Sequence, residues 1–318
     1  MKILHIGDIS FSGYCLCQAL QKLGVQTTLL SKRKFKSSEA SRQDWVLSTE
    51  KRIDEFRLCN IDLEQFDIIH VNYLVNLGSL GLTFKKTKRP IILHAHGGDV
   101  RPRNILEKMV LQRVLSLSNL LLFSTPDLDK EIVGIQKEKI YLPNPVEIPP
   151  LVKKPTTYEK RILIFTTLYK VKQIEKLFPL IQNLDFQFDL IEYGLDIDYY
   201  KRLLPANVRL IAPFKKDRVN EEISKYKLIL GGSQDGTIRI CELEAMVLGI
   251  PTLFPFEYDH FYPEKLPQPE MSTQSILKHF GDYDLGEKQR RWVEKYHESE
   301  NVAKKLLDIY SKVLLKNP

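Results

Sequence analysis

Short apolar runs alternate with helix-like segments along most of this chain, and the alternation limits what the chain can fold into. In the first half the apolar runs fall at residues 2–6, 25–30, 66–71, 90–94 and 120–124. Between them, residues 13–24, 77–84 and 105–117 carry apolar side chains at helical spacing. Strands that alternate with helices indicate a parallel, doubly wound sheet.

The alternation restarts after a proline-rich stretch. Five prolines fall between residues 143 and 155. Beyond them come apolar runs at residues 161–165, 188–193, 208–211 and 227–230, helix-like segments at 174–183 and 240–248, and an amphipathic tail at 287–315. A chain of 318 residues is expected to form about two domains. We predict an α/β chain of two Rossmann-like doubly wound parallel-sheet domains facing across a cleft, residues 1–150 and residues 151–318 with the C-terminal helices.

The composition excludes several classes of protein. Hydrophobic residues make up 43% of the chain, which is typical of a globular protein and excludes general disorder. No apolar run reaches ~18 residues, the length expected of a membrane-spanning helix, and the N-terminal run is too short for a signal peptide. The four cysteines form no C-x-x-C pair. We therefore expect a cytoplasmic protein without a cysteine metal site.

The positive charge is concentrated in the first half. The net charge is +7, and residues 1–150 hold 21 Lys and Arg against 16 Asp and Glu, with dense clusters at residues 32–36 and 85–89. The clusters have two interpretations: solvated loops and helix ends, or a surface for anionic lipid head groups or a polyanionic acceptor. The second interpretation implies peripheral contact with a membrane. No groove-reading motif is present, so we expect no nucleic-acid partner.

The strongest local signal lies between residues 227 and 251. An apolar run ends in a turn that begins at Gly231, and the chain continues through Asp235 and Arg239 into a helix-like segment with Glu242 and Glu244. Backbone N–H groups and an arginine suit a phosphate, and the carboxylates suit a diol. This pattern predicts a site for an anionic ligand with hydroxyl groups. A nucleotide sugar fits, and other phosphate ligands remain open.

Several short motifs occur in an order that is found in a known family. They are Phe66-Asp67-Ile68-Ile69-His70, His94-Ala95-His96-Gly97-Gly98-Asp99, Leu142-Pro143-Asn144-Pro145, Glu244-Ala245-Met246, Arg291-Trp292-Val293-Glu294 and Ile309-Tyr310. Together they make the chain resemble the retaining glycosyltransferases of family 4 nearly from end to end. The resemblance implies the GT-B fold, with two Rossmann-like domains, and a nucleotide-sugar donor.

The resemblance implies that the second domain binds the donor. The glutamate that binds the ribose in the family falls on Glu244, and the family's earlier glutamate, eight positions before, falls on Gly236. Asp235 takes its place only with a shift of one residue. We expect Asp235, Gly236 and Thr237 to contact the donor. Glu242 lies on a different helix face from Glu244 and is interpreted as structural.

In the family an arginine and a lysine hold the diphosphate. Lys172 takes the lysine position, and Thr167 stands where the arginine is expected, so Lys170 or Arg239 is expected to supply the second charge. Fixed cations stabilise the charge that develops on the leaving diphosphate. We therefore expect Lys172 and Arg239 to act in catalysis, with Lys170 and Thr167 in the donor site, and we expect no metal.

In the first domain the resemblance marks residues 96–99. His96 is expected to act in catalysis by hydrogen bonding to the donor sugar near the reacting carbon, and Asp99 and Gly13 are expected to line the donor site. His94 is interpreted as structural, and a metal pair with His96 is the alternative. Asn144 is interpreted as a residue of the interdomain hinge. Capping or packing roles are predicted for Ser124, Trp292 and Tyr310.

These expectations describe a glycosyltransferase that moves a sugar from a nucleoside-diphosphate sugar to a hydroxyl acceptor, which would be a glycan or a lipid-linked molecule. Retention and independence from metal follow from the resemblance. The nucleotide sugar would be a co-substrate, and no cofactor is expected. Two alternatives remain: a non-catalytic GT-B binding module, favoured by the replaced glutamate and arginine, and a nucleotide-sugar epimerase.

Overall fold

The computed structural model divides into two compact α/β units. It describes residues 1–8, 11–31, 46–48, 61–72, 87–97, 99–101, 105–132, 135–150, 160–232 and 236–317. The first unit comprises Met1–Glu147 and His297–Pro318, and the second comprises Ile148–Tyr296. The predicted helix at residues 77–84 and the basic cluster at residues 32–36 lie outside the described residues.

A seven-stranded sheet forms the centre of the first unit. Its strands are β1 (Lys2–Ile6), β2 (Gln26–Ser31), β3 (Val46–Ser48), β4 (Ile68–Asn72), β5 (Ile91–Ala95), β6 (Leu120–Phe123) and β7 (Lys139–Tyr141). Their order is β3-β2-β1-β4-β5-β6-β7, and every adjacent pair is parallel. The strand order changes direction between β1 and β4, and ligands of such sheets bind outside the carboxyl ends of the strands at this position.

The second unit is built on a five-stranded sheet. Its strands are β8 (Arg161–Phe165), β9 (Gln187–Ile191), β10 (Val208–Ile211), β11 (Ile229–Gly231) and β12 (Thr252–Leu253). They lie in the order β10-β9-β8-β11-β12, and all adjacent pairs are parallel. The prediction of two doubly wound parallel-sheet domains is confirmed. The apolar runs that predicted β8, β9 and β11 become strands because most of their side chains are buried in the unit's core, whereas β10 buries only Val208 fully.

Helices connect the strands of both sheets. The described α-helices are α1 (Ser12–Lys22), α2 (Ile105–Ser116), α3 (Leu128–Glu131), α4 (Phe178–Ile181), α5 (Ile197–Lys201), α6 (Val219–Ile223), α7 (Ile240–Met246), α8 (Thr273–His279), α9 (Tyr283–His297) and α10 (Ser299–Lys316). Shorter 3₁₀ turns occupy Leu63–Gln65, Lys170–Lys172, Ile174–Leu177, Lys216–Arg218 and Asp259–Phe261. None of the helices within the described ranges is both long enough and apolar enough to cross a bilayer.

The predicted helix at residues 174–183 is broken in the structure. A 3₁₀ turn at Ile174–Leu177 precedes the short helix α4. Pro179 stands in the first turn of α4, where its missing N–H is tolerated, but it cannot continue a regular helix that begins several residues earlier. The segment therefore cannot form one continuous helix.

The helix α10 belongs to the first unit, although the sequence pattern placed it with the second. Its side chains Leu306 and Tyr310 are fully buried and share one core cluster with Ile3 and Leu16, from β1 and α1. An amphipathic pattern shows that a helix buries one face, but not which part of the chain covers that face. The return of the chain to its first unit is therefore a property of the fold that the helical pattern does not reveal.

We expect Leu306→Ala to destabilise the first unit by about 2–4 kcal/mol, because it removes a fully buried side chain and leaves a cavity between α10 and the sheet. Lys304→Ala changes an exposed position of the same helix, and its effect should stay within roughly 0.5 kcal/mol. Native-state hydrogen exchange of the β1 amides measures the difference. Equal losses in the two variants would contradict the packing of α10.

Candidate functional site

The first group of predicted site residues lies in the loop after β5, at the carboxyl edge of the first sheet. The backbone N–H of His96 donates to both carboxylate oxygens of Asp99, at 3.0 and 3.3 Å. The Nδ1 of His96 lies 3.1 Å from the Oγ of Ser124, at the end of β6, and this hydroxyl donates to the carbonyl oxygen of Ala95. Asp99 therefore fixes the loop, and Ser124 orients the imidazole ring.

Asn144 contributes to the same place. The side chain of Asn144 forms a hydrogen bond with His96. The backbone carbonyl oxygen of Asn144 lies 2.9 Å from the Nδ1 of His297. His96 is partly exposed, but its Nε2 is buried. Desolvation lowers the pKa of the ring to about 3, although the hydrogen bond with Asn144 raises it. His96 is therefore neutral near pH 7.

Gly13 lies where the turn after β1 meets the start of α1. A Cβ at this position would lie 2.7 Å from the carbonyl oxygen of Gly7, so only glycine permits this approach. The next residue, Tyr14, donates its backbone N–H to Asp8 at 3.1 Å. The hydroxyl of Ser12 is buried and makes no hydrogen bond in the described part of the chain. The start of α1 thus presents a polar atom at the carboxyl edge of the sheet.

Further histidines lie on one face of the same sheet. His5 pairs with His70 in the register of β1 and β4, and Asn72 pairs with His94 in that of β4 and β5. The hydroxyl of Tyr310, on α10, lies 3.1 Å from the Nε2 of His5 and 2.6 Å from the Nδ1 of His70. The Nε2 of His70 lies 3.3 Å from the Nδ1 of His94. Tyr310 therefore packs in the core, as predicted, and also bridges two histidines.

Burial sets the protonation of these rings. It lowers the pKa of His5 to about 3 and holds the pKa values of His70 and His94 well below the usual value, and repulsion from neighbouring rings adds to the effect for the last two. Each neutral ring then has one N–H donor and one acceptor. The Nε2 of His94 and the Oδ1 of Asn72 make no hydrogen bond with any described residue.

Among the described residues, the metal alternative for His94 and His96 finds no third ligand. Their ring centroids are 4.2 Å apart. Within the ranges that the structure describes, no group of three or more His, Cys, Asp and Glu side chains could hold a metal ion.

The second group of predicted residues lies around the start of α7, in the second unit. A Cβ on Gly232 would lie 2.2 Å from the Cγ2 of Thr166, and a Cβ on Gly231 would lie 2.5 Å from the Oε1 of Glu242. Both positions require glycine, because any side chain would overlap these atoms. The glycines therefore bring the loop after β8 close to the start of α7.

The two glutamates of α7 face different surroundings. Glu242 is 1% exposed, and its carboxylate accepts from the N–H of Arg239 and the thiol of Cys241, both at 3.1 Å. It therefore caps its own helix. Glu244 is only partly buried.

The positive charges of Lys172 and Arg239 both act electrostatically on the thiol of Cys241, in the first turn of α7. Desolvation raises the pKa of the Cys241 thiol, and Lys172 and Arg239 both act in the opposite direction by their positive charge. In contrast, the ammonium nitrogen of Lys170 lies 4.5 Å from the ring centroid of Tyr199. Of the two residues that the sequence left open for the second charge, the structure brings Arg239 into electrostatic range of this thiol together with Lys172, and it turns Lys170 to an aromatic ring.

Another residue fills the space beside Gly236, the position where the resemblance places an earlier glutamate. Gly236 has a φ of 71°, and a Cβ there would lie 2.9 Å from the Cγ and 3.0 Å from the Cδ of Glu257. The N–H of Glu257 donates to the carbonyl oxygen of Gly236 at 2.9 Å. Glu257 thus occupies the space that a side chain at position 236 would enter. Asp235, the predicted substitute, lies outside the described residues.

The two predicted threonines also lie in the second unit. Thr237 is fully buried between Gly236 and α7. Thr167 is partly buried in the loop after β8, and its carbonyl oxygen accepts from the N–H of Tyr169 at 3.0 Å. Thr167 carries no charge at the position where the resemblance places an arginine.

Several residues of the two groups were missed from the sequence: Glu257, His5, His70 and the hydroxyl of Tyr310. His5 and His70 lie near the ends of apolar runs, as His94 does, and this shared position was a usable signal. Glu257 follows a run that opens at Pro251, so its place after a strand was also visible. No sequence signal linked Tyr310 to the histidines, because more than 200 residues separate it from each of them.

Neither a protein-family model nor a curated protein sequence matches the chain. Among solved structures, sucrose-phosphate synthase from Thermosynechococcus elongatus is similar with a TM-score of 0.73 and 15% identity, over 99% of this chain and 100% of that one. Anabaena HepE, solved in complex with UDP, gives a TM-score of 0.73 and 13% identity, over 98% and 100%. A glycosyltransferase from Rickettsia africae gives 0.67 and 13%, over 100% and 99%. At these identities the likeness is one of fold, and the predicted GT-B fold is confirmed.

Acidification should destabilise the first unit. In the folded state the pKa is about 3 for His5 and His96 and about 4 for His297, against 6.5 without the fold. Below pH 6.5 the unfolded chain therefore binds protons that the folded chain does not. Stability should fall by about 1.4 kcal/mol per pH unit for each ring as the pH drops from 6.5 toward 4.

Urea unfolding at pH 7, 6 and 5 measures this dependence. His260→Gln changes an exposed histidine of the second unit, and it should leave the slope unchanged. A stability that stays constant between pH 6.5 and pH 5 would contradict the burial of neutral histidines in the first unit.

Proposed function

We propose that the protein is a glycosyltransferase that moves a sugar from a nucleoside-diphosphate sugar to the hydroxyl group of an acceptor. The observation that carries this proposal is the start of α7, where the backbone N–H of Arg239 donates to Glu242 at 3.1 Å and the charges of Arg239 and Lys172 both act on the Cys241 thiol. These residues belong to a chain with the fold of solved glycosyltransferases, and a protein of this fold, HepE, was solved with UDP.

The chemistry of the second unit suits such a donor. The diphosphate gains negative charge as the sugar leaves, and fixed cations stabilise that charge in the transition state. Lys172 and Arg239 would take this role. Glu244 would bind the ribose hydroxyls, and Glu257 would bind hydroxyls of the sugar from the space beside Gly236. Two cations and two carboxylates match a ligand that has both a diphosphate and diols.

The first unit would contribute hydrogen bonds without charge. His96 is neutral and is oriented by Ser124, so it would orient the sugar near the reacting carbon. The acceptor is proposed to be a glycan or a lipid-linked hydroxyl, and the excess of basic residues in the first half supports contact with an anionic surface. The departing phosphate oxygen would take the acceptor's proton, with retention of configuration and without a metal.

The non-catalytic binding module is the second candidate, because Gly236 and Thr167 replace residues that the family uses. Two structural observations weigh against it. Glu257 occupies the space beside Gly236, and the charge of Arg239 acts on the same thiol as the charge of Lys172. Both missing functional groups therefore have a substitute of the same charge, which favours the enzyme.

Calorimetric titration with UDP, GDP and ADP tests the donor site. We expect the wild type to bind one of the three with micromolar affinity, roughly −8 kcal/mol. Lys172→Ala and Glu244→Ala should each weaken that binding about tenfold or more, because each removes a hydrogen bond to or from a charged group. Lys176→Ala, an exposed lysine of the same segment, is the matched control and should bind as the wild type does. A folded wild type that binds none of the three nucleotides would refute the transferase.

Glu257→Gln tests the carboxylate beside Gly236. We expect this variant to hydrolyse or transfer the donor sugar about tenfold more slowly, because the sugar hydroxyls lose a charged acceptor. Its affinity for the nucleoside diphosphate alone should not change. Glu270→Gln alters another exposed glutamate of the same unit and should leave both quantities as they are. Equal rates in the two variants would exclude a role for Glu257.

A further inference from the structure

A chain of hydrogen bonds crosses the centre of the first sheet and ends at an atom without a partner. It joins Asn72, His5, Tyr310, His70 and His94, all of which are buried. The strands β1 and β4 mark the place where the strand order changes direction, and β5 is the next strand. The chain therefore lies next to the edge where a ligand of such a sheet is expected.

The direction of the hydrogen bonds follows from the Asn72 end. The Nδ2 of Asn72 can only donate, so the Nδ1 of His5, at 3.5 Å, accepts. A neutral imidazole that accepts at one nitrogen carries its proton on the other. The Nε2 of His5 therefore donates to the hydroxyl oxygen of Tyr310, 3.1 Å away.

The hydroxyl of Tyr310 sets the direction of the hydrogen bonds formed by His70 on β4 and His94 on β5. Because its oxygen accepts from His5, its hydroxyl proton is directed to the Nδ1 of His70, at 2.6 Å. His70 then carries its own proton on Nε2 and donates to the Nδ1 of His94, at 3.3 Å. His94 is left with its proton on Nε2, which is buried and has no partner among the described residues.

A buried N–H group without a partner requires an explanation, since nearly all such groups in folded proteins are hydrogen-bonded. The same core contains Ile3, Ile68 and Ile92, and apolar side chains there need no hydrogen bonds. The chain of hydrogen bonds instead leaves the neutral ring of His94 in one tautomer. The ring of His94 lies 4.2 Å, centroid to centroid, from that of His96, the residue that would orient the sugar.

We infer that Tyr310 is a positioning residue, whose hydroxyl acts through His70 to hold His94 in the tautomer with its proton on Nε2, and so fixes the ring that packs against His96. That His96 orients a bound nucleoside-diphosphate sugar rests on the proposed function. The tautomer of His94 does not rest on it. Tyr310 itself does not touch the ligand, so its effect is transmitted by the two rings.

Long-range proton–nitrogen correlation spectra of the full chain, with isotope-labelled histidine, test the tautomer. Signals are assigned with single His→Gln variants. In the wild type we expect His94 as one tautomer, with its proton on Nε2. Tyr310→Phe keeps the ring and removes the hydroxyl, so the Nδ1 of His70 loses its partner. We expect His94, which forms no hydrogen bond with Tyr310 itself, to become a mixture of both tautomers.

Tyr200→Phe is the matched control. Tyr200 is equally buried, in the second unit, and its hydroxyl donates to the carbonyl oxygen of Tyr169 at 3.3 Å and to the carboxylate of Glu175 at 3.1 Å. Its loss should leave the His94 spectrum unchanged. Asn72→Ala removes the first donor of the chain and should produce the same mixture as Tyr310→Phe.

Three spectra would overturn the inference: a mixture for His94 in the wild type, a wild-type proton on Nδ1, or a single unchanged tautomer in folded Tyr310→Phe. The first two outcomes do not depend on Tyr310→Phe, so the inference can be refuted even if that variant does not fold.

A kinetic measurement separates this inference from the proposed function. The affinity for the nucleoside diphosphate depends on the second unit, so it should be the same in Tyr310→Phe and wild type. The rate of sugar transfer or donor hydrolysis should fall roughly tenfold, the kinetic equivalent of one neutral hydrogen bond. An unchanged rate with a mixed His94 tautomer would overturn the positioning role. Failure of the wild type to bind any nucleotide would instead overturn the proposed function and the ligand named here.

Discussion

Parallel pairing of neighbouring strands requires a crossover for every strand and gathers all carboxyl ends at one edge of the sheet. The rest of this structure depends on that constraint. In the first unit it brings together His5, His70 and His94, which lie on three strands that are distant in sequence. In the second unit it sets Thr166, after β8, against Gly232, which follows β11. Both groups of candidate residues thus arise from the same rule of sheet construction.

Much of the fold could be predicted from the sequence because its central strands are buried on both faces. Such strands appear as continuous apolar runs, and the runs that became β1, β4, β5 and β8 are of this kind. The short elements β7, α5 and α6 have three to five residues and are too short to show a period. The unit to which α10 belongs could not be read from its helical pattern either, since that pattern does not identify the surface it covers.

The sequence indicated candidate residues that belong to a recognisable motif. It did not indicate residues whose role depends on contact with a second position far away in the chain. Lys172, Glu244 and His96 were proposed from their motifs, and they stay predictions. Glu257 was missed because it matters only through its contact with Gly236, a relation across the loop after β12 that no motif records. Tyr310 was recognised as a packing residue from its apolar surroundings, but its hydroxyl gains a role from two histidines on other strands.

The return of the chain to its first unit also sets an order of assembly during synthesis. The core of that unit includes Ile3 and Val313, so a ribosome must produce residue 313 before this core can close. The second unit is continuous from Ile148 to Tyr296 and is complete earlier. Although domains generally fold from the N-terminus onward as they are made, here the unit that begins first along the messenger RNA is the one whose core is finished last.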